Sequence, residues 1–184
     1  MKQANIGIIG FGFVGSSVAY GFSPQTGFDH ATIRIYDKDK SKSTHSLGDV
    51  LNESDFIFLS VPTPSSGDGS INLSILHDVL EEVNSRGTKD GCIVLVRSTI
   101  VPGTTSIFDK KYDNLTFVFN PEFLTERSAK FDFINQSRFI LGGEPENTSR
   151  VADLFRFRFG NSTPTIETNF ETAEFIKYMN NCYF

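Results

Sequence analysis

Gly10-Phe11-Gly12-Phe13-Val14-Gly15 is the stretch that decides the fold, because its three glycines stand in the spacing G-x-G-x-x-G. The apolar run at residues 6–9 precedes it, and residues 14–22 carry apolar side chains at helical spacing. The pattern alone is weak in a glycine-rich chain. Its position after a predicted strand and at the start of a predicted helix makes it specific. The stretch therefore predicts a strand–turn–helix unit.

Each glycine of this turn has its own physical role. Gly10 permits the tight turn that leaves the strand, and Gly12 lets phosphates approach the backbone where a Cβ would otherwise stand. Gly15 allows the helix to pack closely on the strand. The start of the helix then presents unpaired N–H groups and a positive dipole end to an anion. The turn is therefore a candidate site for a pyrophosphate.

A carboxylate follows the second predicted strand, residues 32–36. This carboxylate, Asp37, stands 22 positions after Gly15. It can accept hydrogen bonds from both ribose hydroxyls of an adenosine and would repel a 2′-phosphate, so the sequence favours NAD over NADP. Three lysines follow, and one of them can reach the ribose or a phosphate: Lys38, Lys40 and Lys42. For the first two, a solvated charged loop is the preferred interpretation.

Apolar runs alternate with helical patterns along the rest of the chain. The further strand candidates are residues 56–61, 92–96, 116–119 and 139–141, and the helix candidates are residues 71–83, 151–155 and 171 onward. Continuous apolar strands separated by helices indicate a parallel sheet covered on both faces. We therefore predict an α/β fold: a doubly wound, mostly parallel Rossmann-type sheet that ends in a truncated long helix. Ligands of such sheets bind at the carboxyl ends of the strands.

Composition excludes several classes of protein. The chain has 184 residues, enough for one domain with its own core. Its net charge of −5 makes nucleic acid and membranes unexpected partners. The two cysteines, Cys92 and Cys182, stand far apart and without metal-ligand spacing, so we expect neither a disulfide framework nor a metal site. Glycines interrupt the apolar residues 6–22, which argues against a signal peptide and favours a cytoplasmic protein.

Two loops with prolines follow predicted strands. They are Val61-Pro62-Thr63-Pro64 and Ser98-Thr99-Ile100-Val101-Pro102-Gly103-Thr104. Proline fixes φ and stiffens such loops, which is also ordinary turn chemistry. The functional interpretation is that both loops wall the cofactor, with the Thr99 hydroxyl near the nicotinamide.

Two pairs of polar residues have helical spacing. In Asn120-Pro121-Glu122-Phe123-Leu124-Thr125-Glu126-Arg127, Glu122 and Glu126 would share one face if a helix begins here, which the proline permits. Lys177 and Asn181 are also four apart and share a face of the last helix. A solvated polar face is the alternative for either pair.

Taken in order, these motifs resemble the NAD-binding domain at the amino-terminal end of the UDP-glucose/GDP-mannose dehydrogenase family. Six elements in sequence order carry the resemblance over nearly the whole chain: GFGFVG, Asp37, VPTP, STIVPGTT, NPEFLTERSA and AEFIKYMNN. Members of this family oxidise the C6 alcohol of a nucleotide sugar to a carboxylate in two hydride transfers to NAD⁺. The resemblance implies UDP-glucose as the substrate and UDP-glucuronate as the product, with GDP-mannose as the alternative substrate.

The resemblance also implies roles for individual residues. Those implied to bind the cofactor are Gly10, Phe11, Gly12, Phe13, Val14, Gly15, Asp37, Lys42, Val61, Pro62, Thr63, Thr99 and Glu126. Those implied to bind the substrate are Glu122, Phe123, Leu124, Thr125, Glu126, Lys177 and Asn181. The implied catalytic residues are Thr99, Glu122, Glu126, Lys177 and Asn181. Among them, Glu122 matches a base for thioester hydrolysis, while Lys177 and Asn181 match the pair that holds negative charge developing on the C6 oxygen.

Two features depart from the family pattern. The family's nucleophilic cysteine lies in a Cys-Pro-Lys-Asp-like motif that these 184 residues do not contain, and Cys92 is expected to be a core residue. The connection from Asp37 to Phe56 is short, so we expect part of the wall on the adenosine side to be missing. We predict an NAD-binding domain at residues 1–168 and the start of a connecting helix at 169–184. The UDP-binding half would come from a longer, homodimeric enzyme or from a second subunit.

Two other interpretations stay open. The chain can be a non-catalytic remnant that binds a dinucleotide and serves as a binding or assembly module, as the short connection and the missing cysteine motif would allow. It can also be a different dehydrogenase of small acids. That interpretation accounts for residues 10–37 but not for the NPEFL stretch or for Lys177 and Asn181.

Overall fold

The computed structural model describes residues 1–183, with side chains described through residue 180. In this part of the chain the strands are β1 (Ala4–Ile9), β2 (Ala31–Tyr36), β3 (Phe56–Leu59), β4 (Ile93–Val96), β5 (Phe117–Phe119), β6 (Phe139–Gly142) and β7 (Thr165–Thr168). The helices are α1 (Phe13–Gly21), α2 (Leu47–Glu53), α3 (Ser74–Arg86), α4 (Thr104–Lys111), α5 (Ala129–Ile134), α6 (Pro145–Phe159) and α7 (Phe170–Tyr183). A single 3₁₀ turn at Pro24–Thr26 follows α1.

The strands form one sheet in the order β2-β1-β3-β4-β5-β6-β7. Neighbouring strands run parallel except β5 and β6, which are antiparallel with Phe119 opposite Gly142. Because most connections are helical crossovers, helices lie on both faces of the sheet. The predicted α/β, doubly wound, mostly parallel fold is confirmed.

The buried strands explain the two cores. Alternate residues of a strand point to opposite faces, so Ile93 and Leu95 of β4 pack into one core while Val94 and Val96 pack into the other. Buried residues of α2, α3, α4 and α7 share the core of Val94. Those of α1, α5 and α6 share the core of Leu95. Two buried faces are what the continuous apolar runs in the sequence require.

Three helices and one strand were not predicted from the sequence, namely α2, α4, α5 and β7. Helix α2 begins with a capping box, in which Ser46 and Asp49 each accept a hydrogen bond from the other's backbone N–H, at 3.1 and 2.9 Å. Helix α4 is short and begins directly after Gly103. Strand β7 is a polar edge strand with no buried residue, so it lacks the apolar run that marks the others. The capping box was the one signal that sequence reasoning could have used.

Cys92 is a core residue, as expected. It directly precedes β4, is 3% exposed, and its burial raises the pKa of the thiol to about 12. Since the thiolate is the reactive form, a Cys182→Ser chain should react with a thiol reagent at pH 8 about a thousandfold more slowly when folded than in urea. Fast labelling of the folded chain, followed by absorbance, would contradict this placement.

Candidate functional site

The glycine turn lies at the carboxyl end of β1, where its glycines meet different surroundings. Gly10 has φ +90°, and a Cβ there would stand 2.3 Å from the carbonyl oxygen of Ser60. A Cβ on Gly15 would stand 2.0 Å from the carbonyl oxygen of Gly10. A Cβ on Gly12 would meet no atom of the described chain within 4 Å. The fold itself requires the outer two glycines, whereas Gly12 faces open space.

Helix α1 starts at this open position. Gly12 is its N-cap residue, and no described side chain forms a capping hydrogen bond there. The first N–H groups of a helix have no partner within the helix, so they are available to an acceptor outside it. The turn thus presents a bare backbone and uncapped donors to the same space.

Asp37 is positioned against the glycine turn. Its Oδ2 accepts a hydrogen bond from the Phe11 N–H at 2.6 Å, and its Oδ1 accepts one from the Asp39 N–H at 2.8 Å. Backbone pairing of β1 with β2 brings the two strand ends side by side. The carboxylate is therefore fixed at the edge of the space above the turn.

A cavity of about 580 Å³ opens between this turn and helix α3. Its wall includes Gly10, Gly12, Asp37, Lys38, Lys42, Val61, Pro62 and four residues of α3, Ile75, Asp78, Val79 and Glu82. Leu47 of α2 also lines it. The short connection after Asp37 contains helix α2, which the sequence pattern did not reveal and which supplies Leu47 to the wall. It stays a prediction that part of the wall on the adenosine side is missing.

A second cavity of about 290 Å³ lies on the other side of Gly12. It shares Gly12, Ser60, Val61 and Pro62 with the first, and its other lining residues are Phe13, Val14, Thr63, Arg97, Ser98, Thr99 and Glu122. The two cavities form one crevice along the carboxyl ends of β1 to β5. Its ends are marked by two carboxylates, Asp37 and Glu122.

The two proline loops are joined to each other beside the crevice. The Ser98 hydroxyl accepts from the Val61 N–H at 3.1 Å and donates to the Val61 carbonyl at 2.7 Å. The Thr63 hydroxyl donates to the Thr99 carbonyl at 2.8 Å. These bonds hold both loops in one geometry, so the wall they form is preorganised.

Lys177 and Glu122 form a buried ion pair at the end of the crevice. The Lys177 ammonium donates to Glu122 Oε1 at 2.7 Å and to the backbone carbonyl of the same residue, and the side chains are 5% and 13% exposed. Glu122 Oε2 accepts from the Leu124 N–H at 2.8 Å. The ammonium also lies 5.6 Å from the ring centroid of Phe123. An ammonium and a carboxylate thus meet where water is largely excluded.

Helix α7 brings Lys177 to this place through a second buried contact. Glu174, one turn earlier, accepts hydrogen bonds from the N–H groups of Gly103 and Thr105 and from the Thr105 hydroxyl, at 2.5 to 2.8 Å. Burial raises the pKa of the Glu174 carboxyl, against the effect of these donors. The contact ties α7 to the start of α4 and to the loop that carries Thr99.

Residues 120–127 do not form a helix, so the condition under which Glu122 and Glu126 would share a helix face is not met. Two backbone N–H groups in this stretch donate to side chains and not to backbone carbonyls, as they would in a helix. The Leu124 N–H donates to Glu122, and the Thr125 N–H donates to Asp132 at 2.9 Å. Thr125 and Glu126 are exposed, and neither lines the two cavities. Leu124 packs partly against the core of Leu95.

Other site residues from the sequence are placed as follows. The backbone of Asn181 belongs to α7, as expected, but its side chain lies outside the described residues. Sequence reasoning missed two buried charged residues near Glu122 and Lys177, namely Arg97 and Glu174, as well as the residues of α2 and α3 that line the first cavity. Arg97 could have been found from its position, because it is a charged residue directly after the apolar run 92–96. Glu174 could have been found from its i, i+3 spacing to Lys177 on the last helix.

The described residues contain neither a metal-binding cluster nor a helix that could span a membrane. Among them, no cluster of histidine, cysteine, aspartate and glutamate has an arrangement that would hold a metal ion. Within residues 1–183, no helix combines the length and apolar character needed to cross a bilayer.

Comparison with solved structures identifies the same fold. A GDP-mannose dehydrogenase from Pseudomonas aeruginosa aligns with a TM-score of 0.79 at 22% identity, over 100% of this chain and 50% of that one. A UDP-glucose dehydrogenase from Pyrobaculum islandicum aligns with a TM-score of 0.80 at 23% identity, over 98% of this chain and 50% of that one. At these identities the likeness concerns the fold.

Sequence comparison identifies the family. Residues 36–157 match the profile of the UDP-glucose/GDP-mannose dehydrogenase family, NAD binding domain. The UDP-glucose 6-dehydrogenase AglM of Haloferax volcanii is 28% identical over 97% of this chain and 50% of its own length. The UDP-glucose 6-dehydrogenase of Rickettsia conorii is 31% identical over 80% of this chain and 34% of its own length. The chain thus spans between a third and a half of these relatives. It belongs to the UDP-glucose/GDP-mannose dehydrogenase family and carries that family's domain for NAD.

Proposed function

We propose that this chain forms the NAD-binding part of a nucleotide-sugar 6-dehydrogenase that acts on UDP-glucose. The observation that carries the proposal is the continuous crevice from Asp37, past the open backbone at Gly12, to the buried pair of Glu122 and Lys177. Relatives named as UDP-glucose 6-dehydrogenases support this substrate. GDP-mannose is the second candidate, because a GDP-mannose dehydrogenase shares the fold.

The residues of the crevice fit the cofactor. Space for a pyrophosphate exists at Gly12, beside the uncapped start of α1. We assign the ribose of the adenosine half to Asp37 and Lys42, and the walls of the nicotinamide half to Thr63 and Thr99. The other residues of the glycine turn assigned to the cofactor are Phe11, Phe13, Val14 and Gly15. We assign Val61 and Pro62 to the middle of the cofactor, between its two halves. Glu126 is assigned a contact with the cofactor that forms only when ligands are bound.

The residues at the far end of the crevice suit oxidation of an alcohol. Bound NAD⁺ supplies the acceptor for the hydride. We assign to the Lys177 ammonium, which is bonded to Glu122 in this structure, the role of donating to the C6 oxygen of a sugar and holding negative charge there, with Asn181 as its partner. We assign to the Glu122 carboxylate the role of taking a proton from an attacking water. The backbone of residues 123–125 is the assigned contact for the sugar.

We propose further that these 184 residues alone bind dinucleotide but do not complete a four-electron oxidation. The family's cysteine motif does not occur in them, and the relatives are two to three times longer. A complete enzyme would then supply the UDP-binding half and would be homodimeric. We assign the complete enzyme to the cytoplasm.

A non-catalytic binding or assembly module is the competing function. The enzyme and the binding module predict different results when a carboxyl-terminal half from a relative is added to the chain together with NAD⁺ and UDP-glucose. NADH formation, followed at 340 nm, supports the enzyme. Tight dinucleotide binding without any NADH formation favours the module.

Substitution of Asp37 tests the ribose assignment. Asp37→Asn keeps the size of the side chain and loses its charge, so the affinity for NAD⁺ should fall about tenfold and the discrimination against NADP⁺ should weaken. Titration calorimetry with both nucleotides measures the two effects. Asp68→Asn is the matched control, because the Asp68 carboxylate is bonded to Ser70 within its own exposed loop and lines neither cavity. The proposed site is refuted if the unaltered chain binds neither NAD⁺ nor NADH at millimolar concentration.

A further inference from the structure

Arg97 is a buried charge that the proposed reaction does not use. It directly follows β4, is 2% exposed, and donates from Nη1 to Oδ1 of Asn120. Its Nε and Nη2 are buried and have no hydrogen-bond partner among the described residues. The rings of Phe58 and Phe133 lie 6.0 and 5.6 Å from its Cζ. Since buried donors without partners destabilise a fold, this arrangement calls for a functional explanation.

The guanidinium is charged under ordinary conditions. Burial lowers the pKa of Arg97 to about 10, while the nearby Glu122 carboxylate acts in the opposite direction. Glu122 is already paired with Lys177. Two charged side chains line the second cavity, Arg97 and Glu122, and Lys177 stands behind Glu122 as its ion-pair partner. These three groups sum to +1, although the whole chain carries −5. Charges in such a confined site act more strongly than charges in water.

The ligand assigned to this cavity changes its own charge. If the adenosine half lies at Asp37, the nicotinamide half extends past Gly12 into the cavity lined by Arg97 and Thr99. The oxidised nicotinamide ring is positive, and the ring becomes neutral when it accepts a hydride. A fixed positive charge beside the ring disfavours the oxidised form only.

We propose that Arg97 sets the preference of this site for reduced over oxidised nicotinamide, by placing an uncompensated positive charge beside the ring. This inference rests on the proposed NAD site. In the enzyme, the same charge would make the bound nicotinamide a stronger hydride acceptor. Arg97 is thus an electrostatic determinant of the reaction, distinct from the groups that contact the sugar.

The ratio of the dissociation constants of NAD⁺ and NADH tests the proposal. Arg97→Gln removes the charge and keeps a donor for Asn120, so we expect this ratio to fall about tenfold. Arg97→Lys keeps the charge and should hold the ratio within about twofold of the unaltered chain. A purely structural role would weaken both nucleotides together and leave their ratio unchanged.

Two further variants keep the test decisive. Asn120→Asp retains the guanidinium but sets a carboxylate against it, so the ratio should fall even if Arg97→Gln does not fold. Arg158→Gln is the matched control: Arg158 is a half-buried arginine that contacts the rings of Phe28 and Phe159 and lines neither cavity. It should leave the ratio unchanged.

The outcomes separate the two proposals. If the unaltered chain binds neither nucleotide, the proposed NAD site itself is refuted. If both nucleotides bind and the ratio stays constant in Arg97→Gln, or in Asn120→Asp where the former does not fold, the NAD site stands and the role of Arg97 is overturned. A ratio that falls equally in Arg158→Gln also overturns it, because the effect would then not depend on the cavity.

Discussion

Replacing Gly12 with valine should abolish binding of NAD⁺ while leaving the fold in place. Gly12 has φ −85° and ψ −156°, an extended conformation open to any residue, and a Cβ there meets no described atom within 4 Å. We therefore expect the free energy of unfolding to change by less than about 1 kcal/mol. The valine side chain would occupy the space in which phosphates approach the start of α1, so the affinity should fall at least about a hundredfold. Titration calorimetry and urea unfolding measure the two quantities.

Gly15→Ala provides the contrast to that experiment. Its Cβ would stand 2.0 Å from the Gly10 carbonyl oxygen, between α1 and the end of β1. Something must move, so the variant should lose about 3 kcal/mol of stability. Any loss of binding would then follow from the damaged turn. If Gly12→Val binds NAD⁺ as tightly as the unaltered chain, the pyrophosphate does not lie on this turn.

Most parts of the fold that sequence reasoning predicted are buried. Strands β1 and β3 to β6 appear as apolar runs because both faces of the sheet are covered there, and α3 shows a clear apolar stripe. Edge strand β2 has no fully buried residue, and its isoleucines still marked it as a strand. The exposed edge strand β7 carries no such signal. Helices α2 and α4 span seven and eight residues, too few for a convincing helical period.

The candidate site was predictable only where its residues are close in sequence. The glycine turn and Asp37 follow from one strand–turn–helix unit, whereas Glu122 and Lys177 are 55 positions apart. Helical spacing relates only residues that are close in sequence. It therefore indicated the pairs Glu122 with Glu126 and Lys177 with Asn181. The observed ion pair depends on how α7 packs across the sheet, where Ala173 lies against Gly142. That contact is a property of the tertiary fold.

Removing the ammonium of Lys177 should destabilise the folded chain strongly. Lys177→Met fills a similar volume but leaves the Glu122 carboxylate buried without its charged partner. Breaking a buried ion pair from one side costs about 3 kcal/mol, because the remaining charge is no longer compensated. Urea unfolding at pH 7 measures the loss.

The double variant Glu122→Gln with Lys177→Met isolates the cause. It removes both charges, so most of the stability lost in the single variant should return. Lys111→Met is the control, since it breaks the exposed pair of Lys111 and Glu81, whose side chains are 46% and 58% exposed, and should leave stability nearly unchanged. If Lys177→Met is as stable as this control, the ammonium and the carboxylate are not held together in a site that excludes water. The proposed stabilisation of charge on a sugar oxygen would then lose its physical basis, because an ammonium in open water does little for a developing oxyanion.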